Sequence, residues 1–340
     1  MTTAIRPSLD ELAEGVDKVL IWGNGGGGDV IQGLPIARHL ERLGVKEVIL
    51  GGVSGAWMTH DGHVPTDPAT VLLGAEIFDL DELTGALPHG PQLVEVGPAT
   101  RLRGRQTAES VLVELTGRRA VVIGLKEGVA AARASLNAFI EAEGIGLVVA
   151  TDIGSDTMFS GKEANPAKTA FVDFLSLGVL LGAPCPKVFG LGGYGLDGEL
   201  LLEDLERNVG AVAAAGGYLG AIGITQRDVV EMEKAIALFT DPVGVLVPEA
   251  ARGRFGWVQV PTNGPWGTSV RITPTAMVTL FFDPEVMAQE VCTIVPELAA
   301  CATVAEAERL YEERLGFVPE TRLLTEAALR TPEEGADAQR

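Results

Sequence analysis

Three glycine-rich, acid-bearing segments hold the side chains best suited to chemistry in this 340-residue chain. The first is Gly23-Asn24-Gly25-Gly26-Gly27-Gly28-Asp29. The second is Thr151-Asp152-Ile153-Gly154-Ser155-Asp156-Thr157, and the third runs from Gly190 through Tyr194 and Asp197 to Glu199. Glycine permits positive φ and close approach of a ligand to the backbone, and a helix starting there offers unpaired N–H groups to an anion. Carboxylates supply oxygen ligands for Mg2+ or Ca2+ and acceptors for sugar hydroxyls. When crowded, one of them can also keep a proton for acid/base work.

Asp29, Asp152 and Asp156 are therefore the candidate catalytic residues, with Asp152 and Asp156 also the candidate metal ligands. Asn24, Gly25, Gly26, Gly27, Gly28, Ser155, Tyr194, Asp197 and Glu199 are the candidate ligand contacts. Lys126 joins them at another strand-to-helix turn, where its ammonium could meet an anion. Each acid also has a plainer reading. Asp29, Asp197 and Glu199 fit simple helix starts, and the Asp152–Asp156 pair fits an Asx-turn.

The glycine string satisfies G-x-G-x-x-G at Gly23, Gly25 and Gly28. A nicotinamide site also expects an acid at the end of the second strand, and that position reads Leu50-Gly51-Gly52. A nicotinamide cofactor is therefore not expected, and the lysine of a P-loop is missing too. His60-x-x-His63 lacks the helical spacing and nearby cysteines of a zinc site, so a loop is favoured. Arg101, Arg103 and Arg105 alternate; on a strand they would share one face, as a solvated edge or as a clamp for a phosphate or carboxylate. Lys162 and Glu163 follow the second loop as supporting candidates. Ser155 and Ser160 lack a nucleophile elbow and a histidine partner, which argues against a serine triad.

The three loops need a scaffold that brings them to one place. Lys18–Trp22 reads as a buried strand, Val30–Leu43 as an amphipathic helix and Val45–Leu50 as a second strand, a βαβ unit that implies a parallel sheet. Gly51–Pro68 reads as a loop, Gln92–Val96 as a strand, and Val111–Leu115 as a strand or a helix. Strands at Ala120–Gly124, Gly146–Thr151, Lys187–Phe189 and Leu219–Ile224 then alternate with helices at Gly128–Glu143, Ala167–Leu181, Glu199–Ala215 and Thr225–Phe239. Phe255–Val260 and Val270–Phe282 are β-branched and aromatic, as edge or antiparallel strands are. Thr303 caps a last helix, and the tail from Thr331 is polar and acidic, the composition of disorder. The expected fold is α/β, a doubly wound, mainly parallel Rossmann-like sheet over residues 1–240. A small carboxyl-terminal α+β extension over 241–330 would pack on it, followed by a disordered tail over 331–340.

Composition excludes several function classes. The formal charge is -20, and a surface so acidic repels nucleic acid and anionic membranes. Three cysteines without a CxxC pair give neither a disulfide framework nor a zinc knuckle. The longest apolar run, Val209–Ile224, falls short of the roughly 20 residues a membrane helix needs. A cytoplasmic protein acting on a small molecule is expected, and a homo-oligomer stays open.

The chain resembles the uncharacterised family known as domain of unknown function 1152. The resemblance rests on Gly25–Asp29, Asp152-Ile-Gly-Ser-Asp156, Leu196-Asp197-Gly-Glu199-Leu200 and Ile272–Glu285, in the family's order and across most of residues 18–315. The family usually has a second glycine where Ser155 stands, and an acidic-basic pair where this chain reads Met58-Thr59. The resemblance implies a Rossmann-like fold and no particular reaction.

The residues together point to an enzyme acting on a small polar metabolite bearing a sugar, phosphate or carboxylate group. It would use acid/base or metal-assisted chemistry of hydrolase, lyase or isomerase type, with Mg2+ or another divalent ion as the expected cofactor. A non-catalytic nucleotide- or metabolite-binding protein is the alternative, and a nicotinamide-dependent oxidoreductase the third reading.

Overall fold

Val19 and Ile21 face one side of the first strand, Leu20 and Trp22 the other, and all four are fully buried. A strand with both faces covered needs a continuous apolar run rather than alternation, which Val19–Trp22 supplies. The computed structural model describes residues 5–58, 74–260 and 269–323. It has an α/β architecture, with one large mixed sheet of mostly parallel strands and helices packed on it.

In chain order the sheet strands are β1 (Lys18–Gly23), β2 (Glu47–Val53), β3 (Leu87–Gly90), β4 (Leu93–Val96) and β5 (Ala120–Ile123). β6 (Leu147–Ile153), β7 (Lys187–Gly192), β8 (Tyr218–Gly223) and β9 (Val278–Phe282) complete it. They lie side by side as β8-β9-β7-β6-β1-β2-β5-β4-β3. From β7 across to β5 every pairing is parallel. β9 and β4 run against this central block, and each carries one further antiparallel neighbour.

The chain moves outward from β1 through β2 to β5 on one side, then returns to place β6 and β7 on the other. Strand order thus reverses between β1 and β6. In an open parallel sheet, the crevice outside the carboxyl ends at such a reversal is where ligands bind. The first acidic loop leaves β1 there and the second leaves β6.

Several helices begin where local chemistry dictates. Thr225 and Asp228 form a reciprocal capping box at the start of Gln226–Leu238, and Thr303 accepts the Glu306 N–H at the start of Val304–Leu315. Ala108–Thr116 resolves the strand-or-helix ambiguity at Val111–Leu115. Thr107 caps its start, and Gly117 in the left-handed region (φ 69) ends it.

Three expectations change. The segment read as a loop from Gly51 instead continues β2 to Val53, and Gly55–Met58 then pairs with Gly74–Ile77. Its glycines hid the strand, because the ladder uses backbone groups that no side-chain pattern records. The three arginines do not share a strand face. Only Arg101–Leu102 is extended, Arg103 turns into positive φ (49), and its guanidinium pairs with Glu76 and Glu82. Finally, the Val270–Phe282 stretch is broken by a 3-10 turn, Pro274–Met277, and its second part, Val278–Phe282, is an antiparallel strand as expected but an inner one. It is β9, inserted between β7 and β8. Its partners lie far away in the chain, so only the assembled sheet reveals it.

His60, His63, the end of the 51–68 segment and the 331–340 tail fall outside the described residues. Among the described residues, no helix is long and apolar enough to cross a membrane.

Candidate functional site

At the β1–β6 reversal lies a cavity of about 130 Å³. Among the described residues nine carboxyl groups line it: Asp29, Glu109, Asp152, Asp156, Asp173, Asp197, Glu199, Asp241 and Glu320. All nine are buried, none more than 8% exposed. Among the described residues no lysine, arginine or histidine lines the cavity. Trp57, Phe78, Phe239 and Pro242 form apolar wall around it. Buried like charges without a counter-ion are costly, so such a site needs protons or cations to complete it.

The first glycine loop shapes the floor. The Gly25 N–H donates to Asp29 Oδ2 at 2.6 Å. A Cβ on Gly25 would stand 2.6 Å from Asp173 Oδ2 and 2.9 Å from Asp29 Oδ2, so this glycine is the spacer between two acids. Gly26 holds φ +85 and lies against the Gly55 carbonyl, which only a residue without Cβ allows. Asp29 does not cap a long helix; it opens a short 3-10 turn, Asp29–Gln32, ahead of the Gly33–Arg42 helix.

The second loop meets a helix the motifs did not single out. Thr157 Oγ1 lies 2.7 Å from Asp152 Oδ2 and 2.9 Å from Asp173 Oδ1. Asn24 Nδ2 donates to the Asp173 carbonyl and to Asp173 Oδ1, each at 3.1 Å. Asp156 accepts the Thr157 N–H at 3.0 Å and the Thr169 hydroxyl at 2.9 Å.

The third loop folds back on the second. Asp197 accepts the Ser155 N–H at 2.9 Å and the Ser155 hydroxyl at 2.7 Å. Gly154, at φ +131, has no room for a Cβ beside that carboxylate. Glu199 accepts the N–H groups of Lys168 (2.6 Å) and Thr169 (3.1 Å), and the Thr169 hydroxyl also bonds to it.

Electrostatics follow the crowding. Burial, then the charges of Asp152, Asp156 and Asp241, push Asp29 well above the usual carboxylate range. Burial, then Asp156, Asp152 and Asp29, do the same to Asp173. Glu199 is raised well above its usual range by burial, then by Asp156 and Asp197. Burial and the Asp152 charge lift Asp156 to about 8, and burial and Asp156 lift Asp197 to about 7. Burial raises Asp152 only to about 6, because the Thr157 hydroxyl favours its charged form.

Among the expected site residues, Asp29, Asp152, Asp156, Asp197, Glu199 and Gly25–Gly28 all line one cavity. Ser155 and Asn24 stand behind it, holding Asp197 and Asp173. Lys126 and Tyr194 do not line it. The Lys126 ammonium donates to the Ile77 carbonyl, and Tyr194 is buried in the apolar core. Ser160 and Lys162 hold Glu163 outside the cavity through hydroxyl and N–H bonds.

Four lining acids escaped the sequence reading. Asp173 left a signal: it is the only charge in the largely apolar twelve-residue helix Ala170–Leu181. Glu109 resembled an ordinary first-turn acid, and Asp241 a loop acid after a helix. Glu320 lies in a polar carboxyl-terminal stretch, yet it is fully buried and accepts the Phe171 and Val172 N–H groups at 3.2 and 2.7 Å.

The donors suit a hard divalent cation, since every candidate ligand is a carboxylate oxygen. Asp29, Asp152 and Asp173 each bring one oxygen within 4.8 Å of the others, as do Asp156, Asp197 and Glu199. Asp241 Oδ2 is buried without a hydrogen-bond partner, so the cavity holds an acceptor that the protein does not satisfy.

No curated protein and no solved structure matches this chain. A family model does match, over residues 20–326, which covers all three acidic loops and Glu320. The chain therefore belongs to the family of proteins of unknown function DUF1152.

Proposed function

We propose that this chain is an enzyme acting on a small polar metabolite by metal-assisted or carboxylate acid/base chemistry, of hydrolase, lyase or isomerase type. The observation that carries this reading is the cavity wall: nine buried carboxyl groups and no basic side chain among the described lining residues. Asp152, Asp156 and Asp29 would help hold Mg2+ or a similar divalent ion, Asp29 beside Asp152 in one group of carboxylates and Asp156 in another. Bound there, the ion would polarise a substrate oxygen or lower the pKa of a water. A carboxyl group kept protonated by its neighbours could deliver a proton to the leaving group. Any phosphate or carboxylate on the substrate would have to be met by the ion or by backbone N–H groups of the glycine loop. Substrates carrying hydroxyl or amine groups suit the wall directly.

Sheet order and the two cores on opposite faces support a doubly wound, Rossmann-like arrangement for the central strands. The acidic charge favours a small-molecule partner over nucleic acid or an anionic membrane, and a cytoplasmic location is part of the same reading.

The test is a thermal-shift screen of sugar phosphates, nucleotides, polyols and acids, with and without Mg2+ or Mn2+. A true ligand at a hundredfold excess over its Kd stabilises by about 2.7 kcal/mol. Asp152→Asn should then lose turnover of the ligand found while keeping the wild-type fold. Binding without turnover in the wild-type chain would instead identify a binding protein.

A further inference from the structure

We propose that the cavity takes two divalent cations: one between Asp29, Asp152 and Asp173, the other between Asp156, Asp197 and Glu199. This rests on the metal-assisted reading above and specifies its cofactor. The two sets share no residue, and within each set the three carboxylate oxygens lie within 4.8 Å of one another. Each set also has its own bridging hydroxyl. Thr157 sits between Asp152 and Asp173, and Thr169 sits between Asp156 and Glu199.

An independent observation points to a ligand. Asp241 is 7% exposed, lines the same cavity, and has its Oδ1 held by the N–H groups of Val243 (3.2 Å) and Gly244 (2.7 Å). Those two bonds fix the carboxylate, yet its Oδ2 has no partner. A buried acceptor held in place without a donor calls for a cation or a water bound to one.

Charge argues for a pair rather than a single ion. One dication offsets two negative charges, and Mg2+ accepts about six ligands while usually keeping several waters. A single ion in the first set would leave the second set to be neutralised by protons alone. Asp29, Asp152 and Asp173 would hold one ion and Asp156, Asp197 and Glu199 the other, and two ions in one cavity could each polarise a substrate oxygen.

The experiment is equilibrium dialysis of the full chain against Mn2+, with elemental analysis of bound metal. Two ions per chain are expected, with an electron paramagnetic resonance signal broadened by the neighbouring ion. Asp173→Asn should keep one ion and lose the broadening, and so should Glu199→Gln. One ion per wild-type chain would overturn the pair and leave the metal-assisted reading standing. No bound ion would overturn both. Loss of both ions in each variant, in chains whose circular dichroism matches wild type, would overturn the assignment to two separate sets.

Discussion

The hydroxyl of Thr157 stands between two acids, 2.9 Å from Asp173 Oδ1 and 2.7 Å from Asp152 Oδ2. It has one proton, and Asn24 Nδ2 already donates to its oxygen at 3.2 Å. A single hydroxyl proton cannot serve two ionised carboxylates at once. With no cation bound, only one of the two acids can take that proton, and burial with repulsion from neighbouring acids favours a proton on Asp173.

Thr157→Val tests this relationship. Removing the hydroxyl takes away the bond that favours ionised Asp152, so the Asp152 pKa should rise above about 6. The metal-free protein should lose about 1–3 kcal/mol, the usual cost of an unmet buried polar group. Carboxyl carbon shifts followed by NMR against pH would read the first effect, and urea unfolding the second. An unchanged Asp152 titration would show that the hydroxyl does not hold that charge.

The acids set how stability depends on pH. Asp152 and Asp241 are raised to about 6, Asp197 and Glu109 to about 7, and Asp156 and Glu320 to about 8, in each case chiefly by burial. A raised carboxyl binds its proton more tightly folded than unfolded. The stability it contributes is present below the unfolded value near 4 and is lost as pH climbs through the folded value. The metal-free chain should therefore melt at progressively lower temperature between pH 5 and pH 9. Mn2+ or Mg2+ binds the ionised acids, so its stabilisation should grow over the same interval. Melting curves with and without chelator would measure both trends. A metal-free Tm that rises through this window would contradict them.

Gly25→Ala should damage binding more than folding. The new Cβ would meet the carboxylate ends of Asp173 and Asp29 at 2.6 and 2.9 Å, and those side chains must move apart to admit it. Mn2+ affinity should fall at least tenfold, while stability changes by about 1–3 kcal/mol, typical of overpacking. Calorimetric titration of Mn2+ into the variant checks it. Wild-type affinity would mean that the two acids do not bind metal from the positions they hold here.

Glu320 ties the carboxyl-terminal segment to the helix that carries Asp173. Thr169, at the N-cap position of Ala170–Leu181, gives no capping bond, and Glu320 takes the Phe171 and Val172 N–H groups instead. Glu320→Ala should cost about 1–2 kcal/mol, as loss of a helix cap does, and should loosen the first turn. Amide hydrogen exchange at Phe171 and Val172 reads this locally. Unchanged protection there would remove Glu320 from the positioning of Asp173.

Much of the site was legible because loop chemistry is local. Glycine runs after apolar strands mark strand-to-helix turns, and acids within those runs must lie near strand ends. Asp29, Asp152, Asp156, Asp197 and Glu199 could be named on that basis alone. The parallel core could be named too, since buried strands read as apolar runs and helices carry their caps in sequence.

What tertiary structure alone decided is how many acids share the cavity and what they lack. Asp173, Asp241, Glu109 and Glu320 arrive from elements whose own sequences describe a core helix, a loop, a helix start and a polar tail. Lys126, nearest to a basic partner by sequence, turns away to the Ile77 carbonyl. β9 joins the sheet from a distant segment for the same reason. Strand pairing and charge crowding are long-range, set by which backbones meet, and no short stretch of residues encodes its neighbour across a sheet.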